Sequence, residues 1–260
     1  MKQLSQLSIR EVEDIMKSEP SEEFLELCVQ DSREGIRRLV ARHRKHDLAQ
    51  RAEKQRIEGL LAEEKGLWEK GFLYVAGIDE VGRGPLAGPV MAAACILPAR
   101  FDLPGLNDSK KLSESRREKL FEQIKSQALG YAIGSAESAE IDVLNILQAT
   151  KLAMKRAVED LRIRPQFLLI DALELTQIKI PQKGIIRGDS LSASIAAASI
   201  LAKVTRDRWM VELHKIYPEY GFDRNKGYGT KEHLEALKVY GPCPIHRRSF
   251  SPVEEKTSVS

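Results

Sequence analysis

The segment from Gly77 to Val90 holds the residue types most able to do chemistry in this sequence. An apolar run leads into the adjacent acids Asp79 and Glu80, and one arginine, Arg83, then stands between two glycines ahead of a second apolar run. Carboxylates at the end of a buried strand are costly unless something cationic neutralises them. A divalent metal ion would do so, and the glycines would let the backbone approach whatever the metal acts on.

Two further acids stand where strands and helices are predicted to meet. Asp171 ends the apolar run Phe167–Ile170, and Asp189 comes just before an alanine-rich helical pattern. Ligands of open α/β sheets gather at the ends of strands, so these two acids could meet Asp79 and Glu80 in one site. A site made of carboxylates, without histidine or cysteine, suits magnesium or manganese and not zinc.

Each of these acids also has a structural interpretation that the sequence leaves open. Asp189 could cap the next helix, Asp171 could be a turn residue, and the pair 79–80 could lie on the surface. Consecutive residues of a regular strand point to opposite faces. If both acids of the pair serve one site, we expect the backbone to leave strand geometry at Glu80, near Val81–Gly82.

Three short motifs could contact a sugar or a phosphate. Gly82-Arg83-Gly84 lacks the lysine and hydroxyl residue of a P-loop, so it is either a tight turn between strands or a backbone cradle to which arginine adds charge. Asp108-Ser109-Lys110-Lys111 is either the approach to a helix or a phosphate clamp. Tyr228 stands between glycines, where its ring either packs locally or is exposed for stacking on a sugar or base.

The histidines show no pairing in the sequence. His214 and His233 fall in helical patterns, and we interpret them as surface or packing residues. His246 stands beside Arg247 and Arg248, a combination that indicates a basic tail.

Composition limits the class of protein. With 260 residues, 30% charged and 42% hydrophobic, the chain fits one large globular domain or one domain with an appendage. The net charge of +3 is too small to establish nucleic-acid binding, so any basic surface must be local. Cys28, Cys95 and Cys243 form no zinc or disulfide pattern and indicate reduced thiols. No signal-peptide core and no apolar run of about 20 residues is present, so we expect a cytoplasmic protein with no membrane partner.

The sequence pattern changes near residue 70. Residues 1–70 are highly charged and helical in pattern, and their basic face is either a solvated helix surface or an auxiliary contact to a phosphate backbone. We predict an N-terminal helical extension over residues 1–70, followed by a catalytic domain with a C-terminal helical segment over residues 71–260.

The second part of the chain interleaves predicted strands and helices. Strands are predicted at 72–78, 90–97, 130–136 and 167–170, shorter extended pieces at 177–180 and 185–187, and helices at 113–128, 138–162, 191–216 and 230–240. A short turn separates the first two strands, so we expect them to be antiparallel neighbours. The alternation predicts an α/β domain with a mixed sheet flanked by helices.

Taken together, these motifs resemble the ribonuclease HII family. The resemblance covers residues 72–250 and rests on Gly77–Pro85, Asp108–Leu112, Leu169–Asp171, Gly188–Ser190, Ala196–Asp207 and Lys226–Thr230. Several motifs in order, at compatible spacing, are far more specific than any single one. The related ribonuclease HIII group has a different sequence where Val81–Gly84 stands, which favours ribonuclease HII.

The resemblance implies a ribonuclease H-like fold and a metal-dependent endoribonuclease. Such an enzyme cleaves the RNA strand of RNA–DNA hybrids and incises 5′ of single ribonucleotides embedded in duplex DNA, leaving 5′-phosphate and 3′-hydroxyl ends. The resemblance also implies two divalent metal ions, manganese or magnesium. Their ligands, and the catalytic residues, would be Asp79, Glu80, Asp171 and Asp189.

The same resemblance implies the residues that bind substrate. Gly82, Arg83 and Gly84 would sense the ribose 2′-hydroxyl, and Tyr228 would stack at the RNA–DNA junction. Lys110 and Ser190 would contact phosphates. We expect a monomer whose partners are RNA–DNA hybrids and ribonucleotide-containing duplex DNA, with a replication sliding clamp left open as a protein partner.

Two other functions are compatible with the residues alone. One is a non-catalytic hybrid-binding protein, in which the acids are caps and surface charges. The other is a different metal nuclease on the same fold, such as a junction resolvase or a transposase-like enzyme. Metal-dependent turnover separates the first from a ribonuclease, and substrate preference separates the second.

Overall fold

The chain divides into two compact units between Arg56 and Ile57. The structure, a computed structural model, describes residues 4–18 and 20–253. The predicted boundary at residue 70 stays a prediction. Among the described residues, no helix combines the length and the apolar character needed to cross a membrane.

The first unit is helical. It contains α1 (Ile9–Met16), α2 (Glu22–Val29) and the first part of α3 (Glu34–Leu60). Ser8 caps α1 by accepting a hydrogen bond from the N–H of Glu11, as an N-terminal serine should. The core of this unit consists of the buried side chains of Val12, Met16, Leu25, Cys28, Ile36 and Val40.

Acidic residues of the first unit neutralise much of its predicted basic face. Arg42 lies 2.7 Å from Glu13, and Arg44 lies 3.0 Å from Glu22, with all four side chains largely exposed. Exposed pairs of this kind contribute little stability. They favour the interpretation of this face as a solvated helix surface.

A five-stranded sheet forms the centre of the second unit. Its strands are β1 (Val75–Val81), β2 (Val90–Ile96), β3 (Gly130–Ala136), β4 (Phe167–Asp171) and β5 (Gln182–Ile185). Their spatial order is β3-β2-β1-β4-β5. β1 pairs with β2 in the antiparallel direction and with β4 in the parallel direction, which confirms the predicted mixed sheet.

Helices cover the sheet and extend from it. They are α4 (Ala62–Trp68), α5 (Glu114–Gln127), α6 (Ser138–Leu144), α7 (Ile146–Glu159), α8 (Ala193–Ile216), α9 (Phe222–Asn225) and α10 (Lys231–Tyr240). The prediction of one helix over 138–162 is wrong, because Asn145 has a φ of 68° and begins a new helix by accepting from two backbone N–H groups of α7. The extended pieces predicted at 177–180 and 185–187 are also misplaced. The strand of this region is β5, an edge strand that is mostly exposed. It contains Lys183 and Gly184, so it lacks the apolar pattern by which the other strands were predicted.

The two faces of the sheet are buried under different helices. On β2, Ala93 and Cys95 pack with residues of α5 and α8 such as Leu120. The alternate residue Ala94 points to the other side, where it packs in a cluster that includes Met154 of α7. This alternation follows from strand geometry, and burial on both faces explains why β2 is apolar throughout.

Gly77 allows α8 to approach β1 very closely. A Cβ atom at this position would lie 2.0 Å from the carbonyl carbon of Ser194 and 2.2 Å from the backbone nitrogen of Ile195. These are backbone atoms in the first turn of α8, so they cannot move aside as a flexible side chain can. The absence of a side chain at Gly77 therefore fixes the start of α8 against the strand that carries Asp79 and Glu80.

We predict that Gly77→Ala lowers the free energy of unfolding by about 3 kcal/mol, at the upper end of overpacking effects. Urea denaturation measures the change. Gly66→Ala is the matched control, because no heavy atom lies within 4 Å of a Cβ built at Gly66. It should be neutral or slightly stabilising, as alanine is the better helix former. Equal stability of the two variants would contradict the packing argument.

Candidate active site

Asp79 and Glu80 lie near the end of β1, the central strand that contacts both β2 and β4. Asp79 is 4% exposed, which excludes the surface interpretation, and its Oδ1 accepts a hydrogen bond from the N–H of Glu80 at 2.7 Å. The backbone leaves strand geometry within the predicted Val81–Gly82 segment, although Glu80 itself stays in the strand. The strand stays paired through Val81, opposite Met91 of β2, and the departure comes at Gly82, whose φ is +89°.

The parallel pairing of β1 with β4 sets Asp171 beside the first two acids. Ile78 lies opposite Ile170, so the next residue on each strand is an aspartate at the same end of the sheet. Asp171 is also tied to the turn that carries Asp189, because the N–H of Gly188 donates to its Oδ1 at 2.7 Å. Neighbouring parallel strands thus bring together two acids that are 92 positions apart in the chain.

Asp189 lies in a short 3-10 turn, Gly188–Ser190, between β5 and α8. The capping interpretation of this residue is wrong, because the N-cap of α8 is Ser192, whose hydroxyl accepts from the N–H of Ile195. Asp189 is 5% exposed. Its carboxylate is therefore buried for a reason other than helix capping.

Burial and mutual repulsion raise the pKa values of three of these acids. Burial, followed by the charges of Glu80 and Asp171, raises the pKa of Asp79 well above its usual range. Burial also raises the pKa of Glu80, although the charge of Arg83 opposes this. The pKa of Asp189 is raised by burial and then by the charge of Asp108. These shifts mean that the acids lie close enough to disfavour one another's charged forms.

The four acids suit a hard cation by their chemistry, although they are not arranged as a finished cage. Their donors are all oxygens, and clustered carboxylates with raised pKa values are the groups that a bound cation stabilises. Among residues 4–18 and 20–253, however, no three His, Cys, Asp or Glu side chains are grouped so as to hold a metal ion. The four acids therefore match a divalent cation in their charge and in their oxygen ligands, at one end of the sheet.

Two lysines from the segment after β2 face this acidic cluster. Nζ of Lys110 lies 4.0 Å from Oδ2 of Asp189. Burial acts to lower the pKa of Lys110, but the surrounding carboxylates outweigh it and the net pKa is raised. Nζ of Lys111, the other lysine of the predicted clamp motif, donates to the hydroxyl of Ser190 at 3.1 Å.

The turn from Gly82 to Gly84 lies next to both the acids and Tyr228. Nη1 of Arg83 is 3.7 Å from Oε1 of Glu80. A Cβ atom at Gly84 would lie 3.7 Å from Cε1 of Tyr228. Tyr228 is 44% exposed as a residue, which favours the interpretation that its ring is available for stacking.

Two family models and several known proteins match this chain. A family model described as Ribonuclease HII matches residues 76–253, and one described as Ribonuclease HII N-terminal domain matches residues 8–68. The chain is 69% identical over 259 residues to a ribonuclease HII of Desulfitobacterium hafniense (strain Y51), with 100% of both chains covered. It is 50% identical over 251 residues to a ribonuclease HII of Bacillus cereus (strain B4264), covering 96% of this chain and 97% of the relative.

This chain belongs to the ribonuclease HII family. Membership makes it an endonuclease that hydrolyses RNA strands, in a family that acts on RNA–DNA hybrids. The non-catalytic binding protein and the DNA-specific nuclease are set aside accordingly.

Solved structures support the fold. A ribonuclease H2 from Pyrococcus horikoshii OT3 aligns with a TM-score of 0.59 and 30% identity, over 71% of this chain and 97% of that one. The PCNA:RNase HII complex from Archaeoglobus fulgidus aligns with a TM-score of 0.57 and 27% identity, over 68% of this chain and 95% of that one. The ribonuclease H-like fold of this ribonuclease HII is thereby confirmed.

Sequence reasoning missed Glu64, which comes from α4. This carboxyl is fully buried, and its Oε1 accepts from the hydroxyl of Ser192 at 2.6 Å and from the N–H of Ser194 at 2.9 Å. Burial raises its pKa. Glu64 thus caps the start of α8 at Ser192, three residues after Asp189. No local motif marks Glu64, because its partners are more than 120 positions away in the chain.

The interpretation of His246 and Arg247 as a basic tail is wrong. Both are buried, with exposures of 1% and 0%. Nε2 of His246 lies 2.9 Å from Nε2 of His233, and Nδ1 of His233 lies 2.9 Å from the carbonyl oxygen of Tyr228. At its other end, Nδ1 of His246 contacts both the N–H and the thiol of Cys243.

The hydrogen-bond partners determine which ring nitrogens of His233 and His246 carry a proton. A carbonyl can only accept, so His233 donates from Nδ1 and must accept at Nε2 if it is neutral. His246 then donates from Nε2 and accepts at Nδ1 from Cys243. Burial lowers the pKa of His233, and burial with the neighbouring His233 lowers that of His246 to about 4. Burial raises the pKa of Cys243 to about 11, so all three groups are neutral near pH 7.

We predict that His246 makes the protein less stable as the pH falls from 7 to 5. The unfolded chain takes up this proton near pH 6.5, whereas folded His246 stays neutral down to about pH 4, so the unfolded state binds more protons in this window. The contribution to the loss is about 2 kcal/mol.

Urea denaturation at pH 7, 6 and 5 measures this effect. His246→Gln should be less stable than wild type at pH 7 but should lose less stability on acidification. His46→Gln is the control, because His46 is exposed and should leave the pH dependence as in wild type. The same acid loss in wild type and His246→Gln would be evidence against the assigned neutral chain.

Proposed function

We propose that this ribonuclease HII incises duplex DNA 5′ of a single embedded ribonucleotide, as well as cleaving the RNA strand of hybrids, and leaves 5′-phosphate and 3′-hydroxyl ends. One observation supports this most directly. Asp79, Glu80, Asp171 and Asp189 share one end of the sheet, beside a glycine turn that lies next to an exposed tyrosine. The arrangement combines a hydrolytic centre with a surface that could test one sugar.

We further propose that the four acids hold two divalent ions, magnesium or manganese. When bound, such ions supply activation of the attacking water and charge stabilisation of the leaving oxygen. Lys110, 4.0 Å from Asp189, would neutralise part of the carboxylate charge and could contact a phosphate, with Ser190 alongside it. The crystal structure of Bst-RNase HIII in complex with Mn²⁺ aligns with this chain at a TM-score of 0.55 and 18% identity.

The ribose contact is assigned to the turn and to Tyr228. Only the 2′-hydroxyl separates RNA from DNA at a given nucleotide, so selectivity requires a group that hydrogen-bonds it. Arg83 and Gly84 are exposed residues whose backbone amides are suitable donors, and the guanidinium of Arg83 adds positive charge. Tyr228 would pack against the neighbouring sugar, since a Cβ at Gly84 would lie within 4 Å of its ring.

A sliding clamp is a further proposed partner. The support is the related archaeal structure of a PCNA:RNase HII complex, at 27% identity. The monomeric state, the cytoplasmic location and a phosphate-contacting role for the first unit stay predictions.

Cleavage should depend on a divalent metal and on Asp79. We predict that wild-type protein incises a duplex with one ribonucleotide in magnesium or manganese and not in chelator. Asp79→Asn should reduce the rate by about 1000-fold or more, a loss of about 4 kcal/mol in transition-state stabilisation. Incision is measured on end-labelled strands, whose mobility reports the cleaved bond.

Asp160→Asn is the control for this variant. Asp160 is an exposed residue at the end of α7 and should leave the rate unchanged. Binding of hybrid by Asp79→Asn should persist, which separates loss of chemistry from loss of fold. Full activity of Asp79→Asn, or incision in chelator, would refute the metal site.

Tyr228 should matter for the lone ribonucleotide. We predict that Tyr228→Ala lowers incision at that substrate by at least about tenfold, or about 1.4 kcal/mol, because the stacking surface is lost. Tyr228→Phe keeps the ring and should stay near the wild-type rate. The measurement is kcat/KM on a duplex with one ribonucleotide, and an unchanged value in the alanine variant would rule out the stacking role.

A further inference from the structure

Two fully buried arginines lie beneath the proposed ribose-reading turn without a carboxylate partner. Arg206 and Arg247 are both 0% exposed, and neither has an acidic side chain within salt-bridge distance among residues 4–18 and 20–253. Burial lowers the pKa of Arg206 to about 10 and, together with the charge of Arg206, that of Arg247 to about 9. Unpaired buried charges are expensive, so their position calls for a compensating role.

Backbone carbonyl groups take the place of the missing counterions. Arg247 donates to the carbonyl oxygens of Gly82 at 2.5 Å, of Arg83 at 2.8 Å and of Gly88 at 2.9 and 3.0 Å. One guanidinium thus holds both ends of the turn that joins β1 to β2. A planar fork of five donors can do this, whereas an ammonium group cannot.

Arg206 fastens the same turn to the loop of Tyr228. It donates to the carbonyl oxygens of Ala87 at 3.2 Å, Pro89 at 2.9 Å and Lys226 at 3.0 Å. A Cβ at Gly82 would lie 2.2 Å from its Nε, so the turn rests directly on this side chain. The two arginines therefore set the distance between the turn and the tyrosine.

The contacts of Arg247 determine where two amide groups point. In a trans peptide the N–H points opposite to the C=O. The peptide carbonyls of Gly82 and Arg83 face the buried guanidinium, so the N–H groups of Arg83 and Gly84 point away from it. Within the described part of the chain neither N–H has an acceptor, and both residues are exposed. A carbonyl that accepts from a cation also polarises its peptide, which makes the N–H a stronger donor.

We propose that Arg247, supported by Arg206, is the positioning residue for ribose discrimination. It orients and polarises the amides of Arg83 and Gly84 for the 2′-hydroxyl, from the side of the turn away from substrate. The inference rests on the proposed function, in which these amides read the ribose. It assigns the selectivity to a residue that itself touches no substrate.

The test compares Arg247→Lys with Arg248→Lys, a matched pair of adjacent arginines of which only the first is buried. Both variants are made in the Asp79→Asn background, so that binding is measured without cleavage. Kd is determined in magnesium for a duplex with one central ribonucleotide and for the same duplex made of DNA only. The readout is the ratio of the two Kd values, which a general loss of stability or of charge does not change.

In Arg247→Lys we expect the preference for the ribonucleotide duplex to fall by about fivefold or more, with the Kd for all-DNA duplex within about twofold of the background protein. Arg248→Lys should keep the preference. If Arg247→Lys does not fold by circular dichroism, Arg247→Gln replaces it, because it removes the buried charge and keeps an amide donor. An unchanged ratio in the folded variant, including an equal loss of both affinities, would overturn the inference.

The background protein separates this inference from the proposed function. If it shows no preference for the ribonucleotide duplex, the proposed reading of ribose fails, and with it the premise of the inference. If it shows the preference and Arg247→Lys retains it, only the role of Arg247 fails. Incision rates of the same variants with Asp79 restored, on the duplex with one ribonucleotide, give a second and independent readout of the role of Arg247.

Discussion

Burial of like charges at one end of the sheet is the constraint on which the site depends. Asp79 and Asp189 are almost inaccessible to solvent. The charges of Glu80 and Asp171 disfavour the ionised form of Asp79, and those of Asp108 and Asp171 disfavour that of Asp189. A fold gains no stability from such a cluster, because desolvation and repulsion act in the same direction. The proposed divalent cation would offset this cost, for which the nearby Lys110 compensates only in part.

The surrounding fold is rigid where it holds these acids. α8 begins against Gly77 with backbone-to-backbone contact, and Glu64 caps the same helix from α4. The turn that carries Asp189 is fastened to Asp171 by a hydrogen bond from the N–H of Gly188 to the Asp171 carboxylate. Each link fixes a backbone segment and not only a side chain, so the acids are held by closely packed backbone.

A second set of buried polar groups organises the neighbouring loops. Arg206 and Arg247 bind carbonyl groups of the turn between β1 and β2, and the neutral pair His233–His246 binds the carbonyl of Tyr228. These groups contact the loops from the protein interior and leave the opposite, solvent-facing side of the loops exposed. Glycine turns lack side-chain packing of their own, so buried donors of this kind are what give them one conformation.

The sequence by itself determined the elements and the residue types of the site. Apolar runs predicted four of the five strands, and the motifs around Asp79, Asp171 and Asp189 identified the family, because these signals are local in the chain. Tertiary structure alone decided that Asp171 lies beside Asp79, that Glu80 remains in the strand, and that Arg247 is buried instead of forming a tail. The reason is physical: strand pairing, desolvation and hydrogen bonding join residues that are far apart in the chain, and no local pattern encodes them. Asp79 and Asp171 are 92 positions apart, and Gly82 and Arg247 are 165 positions apart.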